Sequence, residues 1–213
     1  MLASSHAPED VMVTCTSEEK QKFFEAAYNE NTRLVTRMLS ENPKLANSSN
    51  GIASPLYIAV RHRCYRMAEI LIEHGADVNA GLLEEGDMFC RGDTPLIGAI
   101  QSSSPRCLKL LIQHGAELNF LNAWGYCPLT VAAAYNNLNL FRLLLEAGAD
   151  PSLAADEDMR PIDHVQSIVP VSLRRRFERL LAKYGVDISL RAQIDLDKLT
   201  EEDKKFWAQL NDK

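Results

Sequence analysis

Residues 127–150 read CPLTVAAAYNNLNLFRLLLEAGAD, with a proline near the beginning and a glycine near the end. Pro128 suits the first turn of a helix, where the N–H that proline lacks would have no partner. Apolar residues then recur at helical spacing over 140–145, and Gly148 can end a helix because it adopts a left-handed conformation at little cost. The stretch therefore predicts a pair of short helices that begins at a proline and ends at a glycine.

The same two motifs recur along the chain. Proline motifs stand at Ser54-Pro55-Leu56, Thr94-Pro95-Leu96 and Arg160-Pro161-Ile162, and glycine motifs stand at 75–77, 115–117 and 185–187. Successive prolines are 40, 33 and 33 residues apart, and the glycine follows the proline by 20 residues in three copies and by 24 in the last. A repeated period with two motifs in register is typical of a repeat protein.

These motifs resemble those of the ankyrin-repeat family, which has a period of about 33 residues and the motifs T-P-L-H-x-A and G-A-D. The resemblance covers about residues 19–190 and is most specific over 51–157. The histidine of the first motif is replaced in every copy, by Tyr57, Ile97, Thr130 and Asp163. The resemblance implies an all-α fold, an ankyrin-repeat solenoid of about five helix-turn-helix units with β-turn fingers.

The spacing of the motifs also predicts the domain organisation. We expect a disordered segment over 1–17, an ankyrin-repeat domain over 18–190 and a C-terminal tail over 191–213. The repeats fall near 18–50, 51–80, 91–123, 124–157 and 158–190, with a long finger over 81–90. The first and last repeats are expected to cap the stack. The four extra residues of the last repeat are expected in its helix–helix turn, around 168–170.

The tail is expected to contain a short helix. Thr200 is a suitable N-cap, and acidic residues follow it at the positions that favour a helix N-terminus. Phe206, Trp207 and Leu210 would give this helix an apolar side. The helix either packs back on the last repeat or serves as a docking peptide.

Composition excludes several classes of protein. The net charge of −6 argues against nucleic-acid binding, which usually uses a basic face. No stretch approaches the roughly 20 apolar residues that span a bilayer, and residues 1–10 lack the features of a secretory signal. The five cysteines include no C-x-x-C pair, which favours reduced thiols. We therefore expect a cytoplasmic or nuclear protein that binds neither membrane nor nucleic acid.

The sequence contains no recognisable catalytic motif. Neither the glycine-rich phosphate loops nor G-x-S-x-G or H-E-x-x-H occurs. His74 and His114 take equivalent positions in successive repeats, but packed helices lie about 10 Å apart, which is too far for a shared zinc ion. The basic run at 174–176 with Arg179 is typical of a solvated helix face, and a phosphate or acidic-peptide contact is the alternative. We expect no enzymatic activity, catalytic residue, cofactor or metal.

In the ankyrin family the partner surface is a concave face built from the fingers and the inner helices. Counting from each proline transfers this surface to eight positions. The helix positions are Arg61, His62, Gln101 and Tyr135, and the finger positions are Arg91, Asp93, Trp124 and Tyr126. The surface changes from basic to aromatic along the chain, and tryptophan and tyrosine are enriched at interface hot spots. The alternative for each tyrosine is packing on a neighbouring finger.

The long finger is the second candidate surface. It carries Leu82, Leu83, Met88 and Phe89 around an acidic tip. Large apolar residues on a projecting loop are unusual unless something covers them. Either they fold back over the adjacent finger or they contact a partner.

The resemblance implies a protein–protein interaction module, an adaptor, inhibitor or substrate receptor that binds a partner protein through the concave ankyrin face. It would be a monomer or part of a hetero-complex. A self-associating scaffold is one alternative. A substrate-recognition subunit of a ubiquitin ligase is another, although residues 191–213 are too short and too charged for the box that such subunits carry.

Overall fold

The computed structural model describes residues 15–82, 92–154, 160–166 and 171–187. Within these ranges the secondary structure is helical, which confirms the predicted all-α fold. The helices are α1 (Ser17–Tyr28), α2 (Thr32–Glu41), α3 (Pro55–Arg61), α4 (Tyr65–Glu73), α5 (Pro95–Gln101), α6 (Pro105–Gln113), α7 (Pro128–Ala134), α8 (Leu138–Glu146), α9 (Pro161–Gln166) and α10 (Val171–Lys183), with a 3-10 helix (Pro43–Asn47) after α2. They form five pairs, each with an inner helix followed by an outer helix.

The first helix begins earlier than the sequence predicted. The N–H of Glu19 donates to Oγ1 of Thr16 at 3.2 Å, and the N–H of Thr16 donates to Oε2 of Glu19 at 2.9 Å. This reciprocal pair is a capping box, which satisfies two N–H groups that a helix N-terminus leaves unpaired. Thr16 is therefore the N-cap of α1 and Ser17 its first residue, and the prediction that disorder extends to residue 17 is wrong for these two residues.

Proline opens four inner helices, as the motifs predicted. Pro55, Pro95, Pro128 and Pro161 each occupy the first residue of their helix. The chain leaves the inner helices α1, α3, α5 and α7 through a left-handed residue that is not glycine, namely Glu30, Arg63, Ser103 and Asn136. These residues follow one another at the spacing of the repeat, so the inner turn has the same backbone shape in each described case.

Glycine follows four of the outer helices, α4, α6, α8 and α10. Gly75, Gly115, Gly148 and Gly185 all have a positive φ, between 78° and 97°. An asparagine in the preceding repeat then holds the turn that follows three of these glycines. The N–H groups of Asp77, Glu117 and Asp150 donate to Oδ1 of Asn47, Asn79 and Asn119 at 2.7, 2.9 and 2.8 Å.

The described helices fall into two compact units, α1–α6 and α7–α10. The core of the first unit is mainly aliphatic, and its largest buried side chains include Leu56, Leu71 and Leu108 beside Phe23. In the second unit the rings of Phe141 and Phe177 pack edge to face, with their centroids 5.0 Å apart. Each unit thus buries the apolar faces of its paired helices in a core of its own.

Candidate partner-binding surfaces

The finger that precedes α7 is built around one asparagine. Oδ1 of Asn122 accepts the N–H groups of Trp124 and Tyr126, each at 3.0 Å. The backbone closes the turn as well, because the N–H of Gly125 donates to the carbonyl oxygen of Asn122 at 2.9 Å. Gly125 has a φ of 76°, a conformation that glycine adopts without steric cost. These bonds fix the finger independently of the side chains that it carries.

Two large aromatic side chains of this repeat are exposed. Trp124 projects from the finger with 45% of its surface accessible, and Tyr135 at the C-terminus of α7 has 52% accessible. The predicted exposure of both is therefore confirmed. The exposed part of each ring is apolar surface in contact with water, and binding of a partner would remove that surface from water.

Tyr126 packs against the neighbouring repeat, which is the alternative to partner binding that the sequence analysis gave for it. It is only partly exposed, and its ring packs edge-on to the imidazole of His164 in α9, with the centroids 5.4 Å apart. Burial lowers the pKa of His164, a shift that the nearby carboxylate of Asp163 partly opposes. Tyr126 thus contributes mainly to packing between successive repeats.

In the first unit, Arg61 and His62 are exposed at the end of α3, as predicted. The imidazole of His62 packs edge-on to Tyr28, with ring centroids 5.5 Å apart, and Tyr28 itself is 52% accessible. Sequence analysis missed Tyr28 because its repeat lacks the proline from which the positions were counted. One period of 33 residues before Arg61 leads to Tyr28, so the period alone could have identified it.

Two predicted site residues bond to each other instead. Asp93 is only 1% accessible, and its Oδ2 accepts a hydrogen bond from Nε2 of Gln101 at 2.7 Å. The prediction that Asp93 is exposed is therefore wrong. A carboxylate at the base of a finger lies opposite the last turn of the inner helix that follows it, and the amide of Gln101 satisfies it there. Gln101 is half-buried for the same reason.

The described base of the long finger folds back. The N–H of Leu82 donates to the carbonyl oxygen of Asp93 at 2.9 Å. The side chain of Leu82 packs against a small cluster of buried residues, which comprises Phe24, Ala53, Tyr57 and Ile58. Leu82 thus covers the neighbouring repeat, which was one of the two alternatives. Leu83, Met88, Phe89 and Arg91 lie outside the described residues.

Two features of the described residues bear on metal binding and on thiol chemistry. No group of three or more histidine, cysteine or acidic side chains among them is placed to hold a metal ion. Burial, together with a hydrogen bond from the Cys64 thiol to Oε1 of Glu30 at 3.0 Å, raises the pKa of Cys64 to about 12. Such a thiol is almost fully protonated at neutral pH and is a poor nucleophile. Within the described part of the chain, no helix has the length and apolarity that a bilayer crossing requires.

Paired short helices with a fixed period, joined by fingers, define a repeat protein of the helical class. Residues 81–155 match the family model for three copies of the ankyrin repeat, and residues 53–81 match the model for a single ankyrin repeat. Residues 53–155 of the chain are therefore ankyrin repeats, as the resemblance implied. Ankyrin repeats are in general protein–protein interaction modules.

Curated relatives carry the same repeats. The chain is 32% identical over 128 residues to the ankyrin repeat protein nuc-2 of Neurospora crassa, a match that covers 59% of this chain and 11% of that protein. It is 35% identical over 62 residues to the putative ankyrin repeat protein FPV222 of fowlpox virus, covering 29% of this chain and 8% of that protein. The chain therefore spans about a tenth of the length of these relatives.

Proposed function

We propose that this chain binds a partner protein through the fingers and inner helices of its ankyrin repeats, as an adaptor, inhibitor or substrate receptor and without catalysing a reaction. The observation that carries the proposal is the exposure of Trp124 and Tyr135 on one repeat. Tryptophan and tyrosine are the residue types most enriched where truncation costs most binding energy. They combine a large apolar surface with one hydrogen-bonding group.

The way in which Trp124 is held favours this proposal. Oδ1 of Asn122 accepts the backbone N–H of Trp124 itself and that of Tyr126, two residues further on. A side chain that projects from a fixed backbone loses less conformational entropy when a partner binds, because only its own rotamers remain to be ordered. Tyr135 is the C-cap residue of the packed helix α7, so its backbone is also fixed before a partner binds.

The first unit offers a second contact area with different chemistry. Tyr28 and His62 present an exposed aromatic pair, with the cationic Arg61 adjacent to His62 in sequence. Arginine and tyrosine are both favoured at interfaces, and arginine can bind a carboxylate through two parallel hydrogen bonds. This area supports binding of a protein surface that contains acidic groups.

The proposed partner is a protein and not a nucleic acid, since the chain carries a net charge of −6. The proposed setting is the cytoplasm or the nucleus. The four described cysteines, Cys15, Cys64, Cys107 and Cys127, are all free thiols, which suits a reducing compartment. In that setting the chain would act as a monomer or within a hetero-complex.

The test is affinity capture from cell extract with the full chain, followed by a binding measurement with the purified partner. The variant is Trp124→Ala/Tyr135→Ala. The control is Val171→Ala/Tyr184→Ala, which removes two other exposed apolar side chains of the same unit. Truncation of two hot-spot aromatics is expected to cost roughly 3 kcal/mol, a rise in Kd of about 100-fold, whereas the control binds normally. Equal binding by all three proteins, each of unchanged Tm, would contradict the proposed surface.

A further inference from the structure

A groove lies between the outer helices α8 and α10 of the second unit. Its volume is about 350 Å³, and it is lined by Leu138, Asn139, Arg142, Arg176, Arg179 and Leu180. Arg176 and Arg179 are three residues apart on α10, so they lie on the same face of the helix. Half-buried leucines thus border a surface that three arginines surround.

The positive charge of this groove is only partly balanced. Nη2 of Arg142 donates to Oδ1 of Asn139 at 3.0 Å, and its Nε lies 3.8 Å from Oε1 of Glu146. Arg176 and Arg179 form no ion pair with another described residue, because Glu178 on the same helix pairs with Arg174, at 3.7 Å. The ligand that fits is a segment with carboxylates for the arginines and apolar side chains for the leucines.

We propose that the segment 195–210 of this same chain docks in the groove. This segment contains five acidic residues, three lysines and five large apolar residues, and its acidic residues include the run 201–203. They are Asp195, Asp197, Glu201, Glu202 and Asp203, then Lys198, Lys204 and Lys205, and finally Leu196, Leu199, Phe206, Trp207 and Leu210. The segment therefore has carboxylates that can pair with the arginines of the groove and apolar side chains that can pack on its leucines.

The segment is long enough to reach the groove. The described part of the second unit ends at Asp187, and eight residues of extended chain to Asp195 span at most about 28 Å. The distance that this chain must cover is shorter, because Arg179 in the groove lies only four helical residues, about 6 Å, before the end of α10 at Lys183. A tethered segment also binds at an effective concentration that reaches millimolar values, which a free acidic peptide rarely matches.

The test uses the full chain and the fluorescence of Trp207. The chain has two tryptophans, so Trp124→Phe leaves Trp207 as the single reporter. In this background the variant Arg176→Glu/Arg179→Glu is expected to lower the docked-to-free ratio of the segment on the order of tenfold, through the loss of two screened charge pairs. The change is measured as faster acrylamide quenching of Trp207, and high salt is expected to reproduce it in the parent protein.

The control is Arg175→Glu/Lys183→Glu, which changes the net charge equally at two exposed positions of α10 that do not line the groove. It is expected to leave the quenching of Trp207 as in the parent. Adding Glu201→Lys/Glu202→Lys to the Arg176→Glu/Arg179→Glu variant is expected to restore protection, which separates docking from any loss of folding.

Three results would overturn the proposal. One is quenching of Trp207 that is the same with and without Arg176→Glu/Arg179→Glu. Another is an equal increase in quenching for the Arg175→Glu/Lys183→Glu control, which would reveal an effect of net charge alone. The third is protection that depends on protein concentration, because the segment would then occupy the groove of a second copy. None of these outcomes bears on binding through Trp124, so the two proposals are tested separately.

Discussion

Gly81 lies where two segments of backbone touch, and Gly81→Ala tests that contact. A Cβ added at this position would lie 2.7 Å from the carbonyl oxygen of Asp93 and 3.3 Å from its carbonyl carbon. Neither neighbour is a side chain that could rotate away. The substitution is therefore expected to force the base of the long finger away from Asp93, and to remove Leu82 from the cluster that it covers.

The magnitude follows from what the displacement breaks. The lost hydrogen bond from the N–H of Leu82 to Asp93 contributes about 1 kcal/mol, and the exposure of a partly buried leucine costs about 1 kcal/mol more. The backbone of Gly81 does not have a positive φ, so alanine would otherwise stabilise the protein, by about 0.4–1 kcal/mol, through the unfolded state. We expect a net loss of about 1–1.5 kcal/mol in the free energy of unfolding. If Gly81 did not contact Asp93, the same substitution would instead raise the free energy of unfolding, so the sign of the change tests the contact.

Urea unfolding followed by circular dichroism provides the assay. Gly115→Ala is the matched control, since its Cβ meets no atom within 4 Å but its φ of 81° is strained for alanine. Its expected cost is about 1 kcal/mol, from backbone strain alone. Leu82→Ala should cost less in the Gly81→Ala background than in the native chain, because Leu82 is already displaced there. A Gly81→Ala protein as stable as the native one would refute the reasoning.

Two further predictions concern interactions between successive repeats. Burial lowers the pKa of His164, so the unfolded chain binds the proton more tightly, and stability should fall as the pH drops below about 6.5. His164→Gln should flatten that dependence between pH 7.5 and 5.5 in urea unfolding, and an unchanged slope would contradict the prediction. Asn47 accepts the N–H of Asp77 and also donates to the carbonyl oxygen of Gly75, at 2.8 Å. Asn47→Ala should therefore cost about 1–2 kcal/mol, roughly twice as much as Asn79→Ala, measured by thermal unfolding, and equal costs would refute the assignment.

Local sequence signals were sufficient to predict the helix pairs. Proline at the start and glycine at the end act on their own backbone, so the helix pairs and their period could be predicted from the chain. The exposure of Trp124 and Tyr135 followed from the same counting, since equivalent positions of a repeat face the same way. The left-handed turns at Glu30, Arg63 and Ser103 could not be predicted, because these residue types do not signal a positive φ.

What the tertiary structure decided is which side chains meet. The pairing of Asp93 with Gln101, the packing of Tyr126 on His164 and the contact of Tyr28 with His62 all join residues that belong to different elements. Each pairing depends on the offset between two packed elements, and tertiary packing sets that offset. The sequence by itself determined the repeat and its helices, because those depend on neighbours along the chain. The structure decided which predicted surface residues are free to bind, because burial depends on neighbours in space.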